Sequence, residues 1–342
     1  MSYQPKHRTI PVFIPEMACP FRCIYCNQFL ISGQQSMLTD EDILYTISQH
    51  LATFNPDTIV ELGFFGGTFT GLPLAEQERL LLLVQPFRDQ GLIRDVRLST
   101  RPDYINDEVV RLLVRYKVRT VELGVQSMDD EVLSRIRRGY SSDVVRRAVK
   151  LLQDNNIEVG MQMMVGLPGD TPQKALSTAR EIIALGATNT RIYPTLVMRQ
   201  TALATQFERG LYRPLSLSEA VQYTAPILKL FVESGVTVLR VGLCPTEGLI
   251  SGTDYLAGPF HVSFKELVLS AIWNRQLQPL VPSDGTVCDE SLQVAVAPQM
   301  YNAAIGYGSE NRRMLESYFT KVTFQRDSRL TNFEFTIVNK KG

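Results

Sequence analysis

Short runs of β-branched and aromatic residues alternate along the chain with longer stretches in which apolar residues return every third or fourth position. The short runs fall at residues 9–15, 58–65, 95–100, 120–125, 158–165 and 189–193. The amphipathic stretches fall at 38–54, 75–90, 106–116, 130–137, 142–155 and 172–185. Thr39-Asp40-Glu41-Asp42 supplies a helix N-terminal signature to the first of them. A helix at 217–234, a further strand at 236–241 and a helix at 264–276 extend the series. Strand–helix repeats of this kind predict an α/β protein with a parallel sheet and helices outside it. Right-handed crossovers let such a sheet curl into a full or partial TIM-like barrel. Beyond about residue 279 the order changes to a strand at 292–297, a helix at 310–318 and strands at 321–325 and 333–338, which predicts a small α+β appendage. The expected division is a barrel over 1–245 and an appendage over 246–342.

Composition narrows the class. The chain has 342 residues, 44% of them hydrophobic and 20% charged, as in ordinary globular domains. Lys plus Arg equals Asp plus Glu, 35 each. Bulk charge therefore offers no argument for a nucleic-acid partner. No run of 18 apolar residues marks a membrane span. The polar opening Met1–Arg8 lacks the apolar core of a secretory signal, so a cytoplasmic protein with no membrane partner is expected.

Three of the five cysteines crowd into Cys19-Pro-Phe-Arg-Cys23-Ile-Tyr-Cys26, directly after the first predicted strand. Such crowding suits a metal site better than a disulfide framework. Thiolates hold iron–sulfur clusters, and three of them leave one iron of a [4Fe–4S] cube open to a small chelating ligand. A structural zinc site would need a fourth ligand, for which His7 is the nearby candidate. Cys244 and Cys288 are isolated.

Other chemistry gathers at the ends of the next strands. Gly66-Gly67-Thr68 and Thr70 follow the second, and glycines there let a ligand approach backbone closely. Thr100-Arg101-Pro102-Asp103 closes the third, with Arg101 suited to a carboxylate. Glu122 lies in an apolar fourth strand, where a carboxylate must be paired or bound. Gln162 interrupts the fifth strand, which ends in Gly166-Leu167-Pro168-Gly169. In parallel barrels, catalytic groups collect at this end of the strands.

These strings carry a resemblance. Cys19–Cys26 with Tyr25 is similar to the signature of the radical S-adenosylmethionine (SAM) superfamily. The strings 66–70, 100–104, 122–127, Arg138-Gly139, 166–169 and 192–196 resemble the radical-SAM half of the Elongator catalytic subunit family, which modifies wobble uridine in tRNA. A looser similarity is to oxygen-independent coproporphyrinogen III oxidases. The resemblance implies a partial (β/α)6 barrel. It implies a cluster on Cys19, Cys23 and Cys26, with SAM on the open iron. Tyr25, Gly66, Gly67, Thr68, Thr100, Glu122, Gln126, Arg138 and Gln162 match positions lining the SAM pocket. Reduction by a donor such as flavodoxin or ferredoxin would cleave SAM to methionine and a 5′-deoxyadenosyl radical. That radical would take hydrogen from a tRNA nucleoside or a small molecule.

The chain departs from the Elongator pattern in two places. Ser99 stands where an acid is usual. About 95 residues follow Cys244, without a glycine-rich acetyl-CoA phosphate loop, so acetyltransferase-linked chemistry is not expected. Two alternatives stay open: a tetrapyrrole enzyme or haem or cluster carrier, and a zinc-dependent RNA-binding module. For RNA the local candidates are Arg135, Arg137, Arg138, Arg146 and Arg147. In the appendage they are Arg312, Arg313, Arg326 and Arg329 among Tyr301, Tyr307, Tyr318 and Phe319.

Overall fold

The computed structural model describes residues 6–14, 23–27, 39–283 and 285–338. Seven strands form one all-parallel sheet: β1 (His7–Ile14), β2 (Ile59–Gly66), β3 (Asp95–Thr100), β4 (Thr120–Gln126), β5 (Glu158–Val165), β6 (Asn189–Pro194) and β8 (Thr237–Val241). They lie side by side in chain order. Each is followed by helix, and the sheet curls into a half-barrel with the helices on its outer face. A two-residue β7 (Val197–Met198) pairs separately with β9 (Tyr255–Ala257) in antiparallel fashion.

Alternation explains the two faces of the sheet. Leu62, Phe64, Leu98, Leu123, Met161, Met163 and Ile192 point outward and are fully buried beneath helices. Each such side chain contributes roughly 1.5–3 kcal/mol by leaving water. Among the residues between them, Glu61, Arg97, Ser99, Glu122, Gln162, Arg191 and Tyr193 are polar. The inner face is therefore a hydrogen-bonded lumen rather than an oily core, unlike a closed barrel whose interior is filled by branched apolar side chains.

Helix starts follow local chemistry. Thr39 and Asp42 form a reciprocal capping box before Asp40–Ala52, and Ser216 with Glu219 does the same before Leu217–Glu233. Asn106, Asp129 and Thr171 cap Asp107–Arg115, Asp130–Arg135 and Pro172–Ala184.

The C-terminal part forms a three-stranded sheet, β11 (Phe319–Arg326), β10 (Cys288–Val296) and β12 (Phe335–Ile337). The β10–β11 pairing is parallel, and the helices Tyr301–Ile305 and Glu310–Glu316 lie between the two strands in the chain. The appendage thus repeats a strand–helix–strand unit, with β12 antiparallel at its edge. Helix Phe264–Leu277 joins it to the barrel. Trp273, on that helix, is fully buried between Phe333 and Phe335. The apolar core runs without interruption from β1 to Phe333. No described helix is long and apolar enough to cross a membrane.

Candidate active site

The described part of the cysteine motif, Cys23–Asn27, is a tight turn in which the Cys26 N–H donates to the Cys23 carbonyl at 3.0 Å. Ile24 anchors it. Its N–H donates to the Ile136 carbonyl at 3.3 Å, and its carbonyl accepts from Leu203 N–H at 2.7 Å. Its side chain is buried among Val132, Leu133, Ile136, Leu167 and Leu203. Asn27 Nδ2 donates to the Arg199 carbonyl at 3.1 Å. The turn is thereby pinned to the loop after β4 and to the segment after β6. Cys19 lies outside the described residues. His7 lies at the opposite end of β1 and is exposed. Eight residues at about 3.3 Å each put it on the order of 25 Å from the cysteine end. It is not placed to be the fourth zinc ligand.

Two buried guanidiniums converge on Cys23. Arg138 Nη1 donates to its Sγ at 3.1 Å and Arg101 Nη1 at 3.6 Å. Arg101 is held in a bidentate pair with Asp103, at 2.9 and 2.8 Å, and donates to the Arg138 carbonyl at 2.6 Å. Arg138 donates from Nε to Tyr140 Oη at 2.7 Å and from Nη2 to the Gly124 carbonyl. Tyr140 stacks near both guanidiniums, its ring centroid 5.3 Å from one and 5.2 Å from the other. No carboxylate among the described residues pairs with Arg138, which is only 5% exposed. A buried cation of this kind needs an anionic partner, and the sulfur it touches is where a thiolate-bound cluster would supply one. Tyr25 is buried beside it. Burial and Cys23 push its phenol well above the usual range while Arg138 pulls the other way.

The predicted cofactor residues divide into three groups. Gly66, Gly67 and Thr68 sit at the end of β2, against the end of β1. Gly66 has φ +94°, and a side chain there would lie 2.6 Å from the Ile14 carbonyl oxygen. The Gly67 N–H donates to that same oxygen at 2.7 Å. These glycines therefore serve strand-to-strand approach directly before the cysteine loop. Thr100 is buried, with its hydroxyl 2.6 Å from that of Thr70, and ties two strand-end loops together.

Gln126 and Arg138 occupy the mouth at the end of β4. Gln126 adopts φ +70°, a left-handed conformation uncommon for a side chain other than glycine. Its Oε1 is buried without a hydrogen-bond partner among the described residues. Strained backbone and an orphaned acceptor at one position mark a group held for a ligand.

Glu122 and Gln162 lie deeper. Glu122 is the third residue of β4 and only 1% exposed. Its carboxylate accepts from Arg191 Nε at 2.6 Å and Nη2 at 3.1 Å, from Arg97 Nη1 at 2.8 Å and from Gln162 Nε2 at 2.9 Å. These partners outweigh burial and hold it below the usual carboxylate range. The same interactions leave it already partnered by protein. Gln162 Nε2 also reaches Ser99 Oγ at 3.3 Å, where the sequence pattern called for an acid.

Arg101 stood in the sequence as a candidate for a carboxylate, and the structure turns it to Asp103 and Cys23; Tyr140, Arg97 and Arg191 were not singled out as site residues by the sequence. Arg97 and Arg191 did carry a signal, being polar at the inward parity of apolar strands. The expected basic faces are mostly spent on local partners. Arg138 is internal, Arg135 pairs with Glu131, Arg146 with Glu181, Arg312 with Glu316 and Arg329 with Asp327. Arg326 lies 4.2 Å over the Tyr301 ring.

Comparison with known proteins agrees with this geometry. Residues 15–182 match the radical SAM superfamily and residues 188–274 match the radical SAM C-terminal domain. A tRNA uridine(34) acetyltransferase of Dehalococcoides mccartyi (strain CBDB1) is 25% identical over 68% of this chain and 58% of its own length. The protein of the same description from Methanocaldococcus jannaschii is 30% identical over 49% of this chain and 35% of its own length. The chain thus spans between about a third and three-fifths of these relatives. The solved structure of Methanocaldococcus infernus Elp3 with an N-terminal deletion superposes with a TM-score of 0.64 at 22% identity, covering 80% of this chain and 64% of that one. That likeness is one of fold.

Proposed function

Because this chain belongs to the radical SAM superfamily, we propose that it holds a [4Fe–4S] cluster on Cys19, Cys23 and Cys26, binds SAM at the open iron, and acts on a tRNA nucleoside. When bound, that pair supplies one-electron cleavage of the sulfonium to methionine and a 5′-deoxyadenosyl radical. The observation that carries the reading is the pair of buried guanidiniums on Cys23 Sγ, of which Arg138 has no carboxylate partner among the described residues. The protein's part is electrostatic and positional. Arg101 and Arg138 hold the sulfur of Cys23 in a fixed positive field. Gln126 offers its unpaired carbonyl oxygen at the mouth, and the polar lumen beneath admits substrate while the buried Tyr25 and Ile24 exclude water from the sulfurs. The tRNA substrate is supported by the names of the relatives rather than by a basic surface.

Anaerobic reconstitution with iron and sulfide, then dithionite and SAM, should release 5′-deoxyadenosine in wild type and not in Cys23→Ala. An intact cluster that releases none would favour a carrier role, and stoichiometric zinc without labile sulfide would favour the RNA-binding module. Nucleoside mass spectrometry of tRNA from a deletion strain should show one modified uridine lost.

A further inference from the structure

The lumen face carries more positive charge than the cysteine site uses. β6 and β8 pair in parallel with Arg191 directly opposite Arg240. Partners in register share a face of the sheet, and like charges so placed repel. Arg191 has its counter-charge in Glu122. That carboxylate has nothing left for Arg240, since both oxygens are shared among Arg191, Arg97 and Gln162. The other lumen acid, Glu61, accepts from Arg97 Nε at 2.5 Å. Among the described residues, three guanidiniums therefore face two carboxylates on this side of the sheet. The half-buried Arg240 forms no ion pair with any described carboxylate, and its strand register keeps it beside Arg191. The Tyr193 phenol lies in the field of both Arg191 and Arg240. The Arg191 guanidinium stacks 5.3 Å over the Phe65 ring, which closes that side of the lumen.

We propose that the lumen face of the paired strands β6 and β8 is an oxyanion subsite, with Arg240 as its principal ligand and the Tyr193 hydroxyl as a neutral donor, for a carboxylate or phosphate group of the substrate. The assignment rests on the reading that this lumen receives the substrate of a SAM-dependent reaction. A half-buried guanidinium with no ion-pair partner among the described residues attracts an anion more than a fully solvated arginine does. Its planar fork fits both oxyanion types. A bound oxyanion would offset the repulsion between Arg191 and Arg240.

The test is isothermal titration of the reconstituted holoprotein with inorganic phosphate and, separately, with acetate, each against chloride at matched ionic strength. Wild type should bind at least one of them at a single site. Arg240→Gln should weaken that binding at least tenfold, and Arg240→Lys, which keeps the charge but not the fork, should weaken it less. Arg329→Gln, an exposed arginine of the appendage, should bind as wild type. Binding of phosphate alone identifies a phosphoryl group, and binding of acetate alone a carboxylate. No binding above chloride in wild type, or equal affinity in Arg240→Gln, overturns the subsite. The change that SAM makes in the EPR spectrum of the reduced cluster, read on the same samples, reports separately on the SAM reading. Anion binding without that change would leave the subsite standing and the enzyme assignment refuted, and the reverse result would do the opposite.

Discussion

At the scale of single residues, charge placement dominates. Arg101 is buried, fixed by Asp103, and directed at Cys23 Sγ. If Cys23 holds the proposed cluster, a donor and fixed cation beside it would stabilise added negative charge and so raise the reduction potential. Arg101→Gln should therefore lower the midpoint potential in an EPR-monitored redox titration, and an unchanged potential would show that the contact does not tune the cluster. Asp170 is a second case. It follows the Gly166–Gly169 turn and accepts N–H bonds from Gly166 and Thr171, both at 2.9 Å. Burial outweighs those bonds and raises its pKa from 3.8 to about 6. The folded state thus holds this proton more tightly than the unfolded chain. The contribution is fully present below about pH 4 and is lost as pH rises through about 6, a change on the order of 3 kcal/mol. Asp170→Asn should remove that slope from urea-unfolding free energies measured between pH 4 and 6. None of this was visible along the chain. Arg101 read equally well as a surface partner of Asp103, because one strand end does not say which side chains the neighbouring loops bury.

At the scale of elements, most of the architecture was legible. The strands at 95–100 and 158–165 coincide with β3 and β5, and the others agree to within two residues, except that β10 begins at Cys288, four residues before the expected 292. Period-two and period-3.6 patterns are local properties, and caps such as Thr39 and Ser216 act within one turn of helix. The short pair β7–β9 was missed, since two or three residues hold no period. So was helix Ala202–Glu208, whose first residues pin the cysteine turn. Gly66 shows how an element boundary serves the site. Its φ of +94° and the Ile14 oxygen 2.6 Å from a virtual side chain leave no room for alanine. Gly66→Ala should cost about 1–3 kcal/mol through strain and overpacking. It should also lower the iron retained per chain after anaerobic desalting, because β1 leads directly into the cysteines.

At the scale of the whole molecule, barrel and appendage share a core. Trp273 is fully buried against Phe333 and Phe335, yet its indole N–H has no partner among the described residues. Trp273→Ala should destabilise the protein by about 3–5 kcal/mol through the cavity it leaves. Trp273→Phe should cost well under half of that, because it removes an unsatisfied donor along with part of the ring. Urea unfolding of the two variants checks both numbers, and equal losses would contradict the packing. What the amino-acid order settled alone was local: a crowded thiol motif after a strand, glycines at strand ends, and strand–helix alternation that implies a parallel sheet. Covalent spacing and side-chain period carry that information directly. Only the tertiary structure decided which distant groups meet. Arg138 reaches Cys23 across 115 residues of chain, and the row Glu61–Arg97–Glu122–Arg191 draws one residue from each of four strands. Those pairings depend on strand register and on the curl of the sheet, which many segments set together.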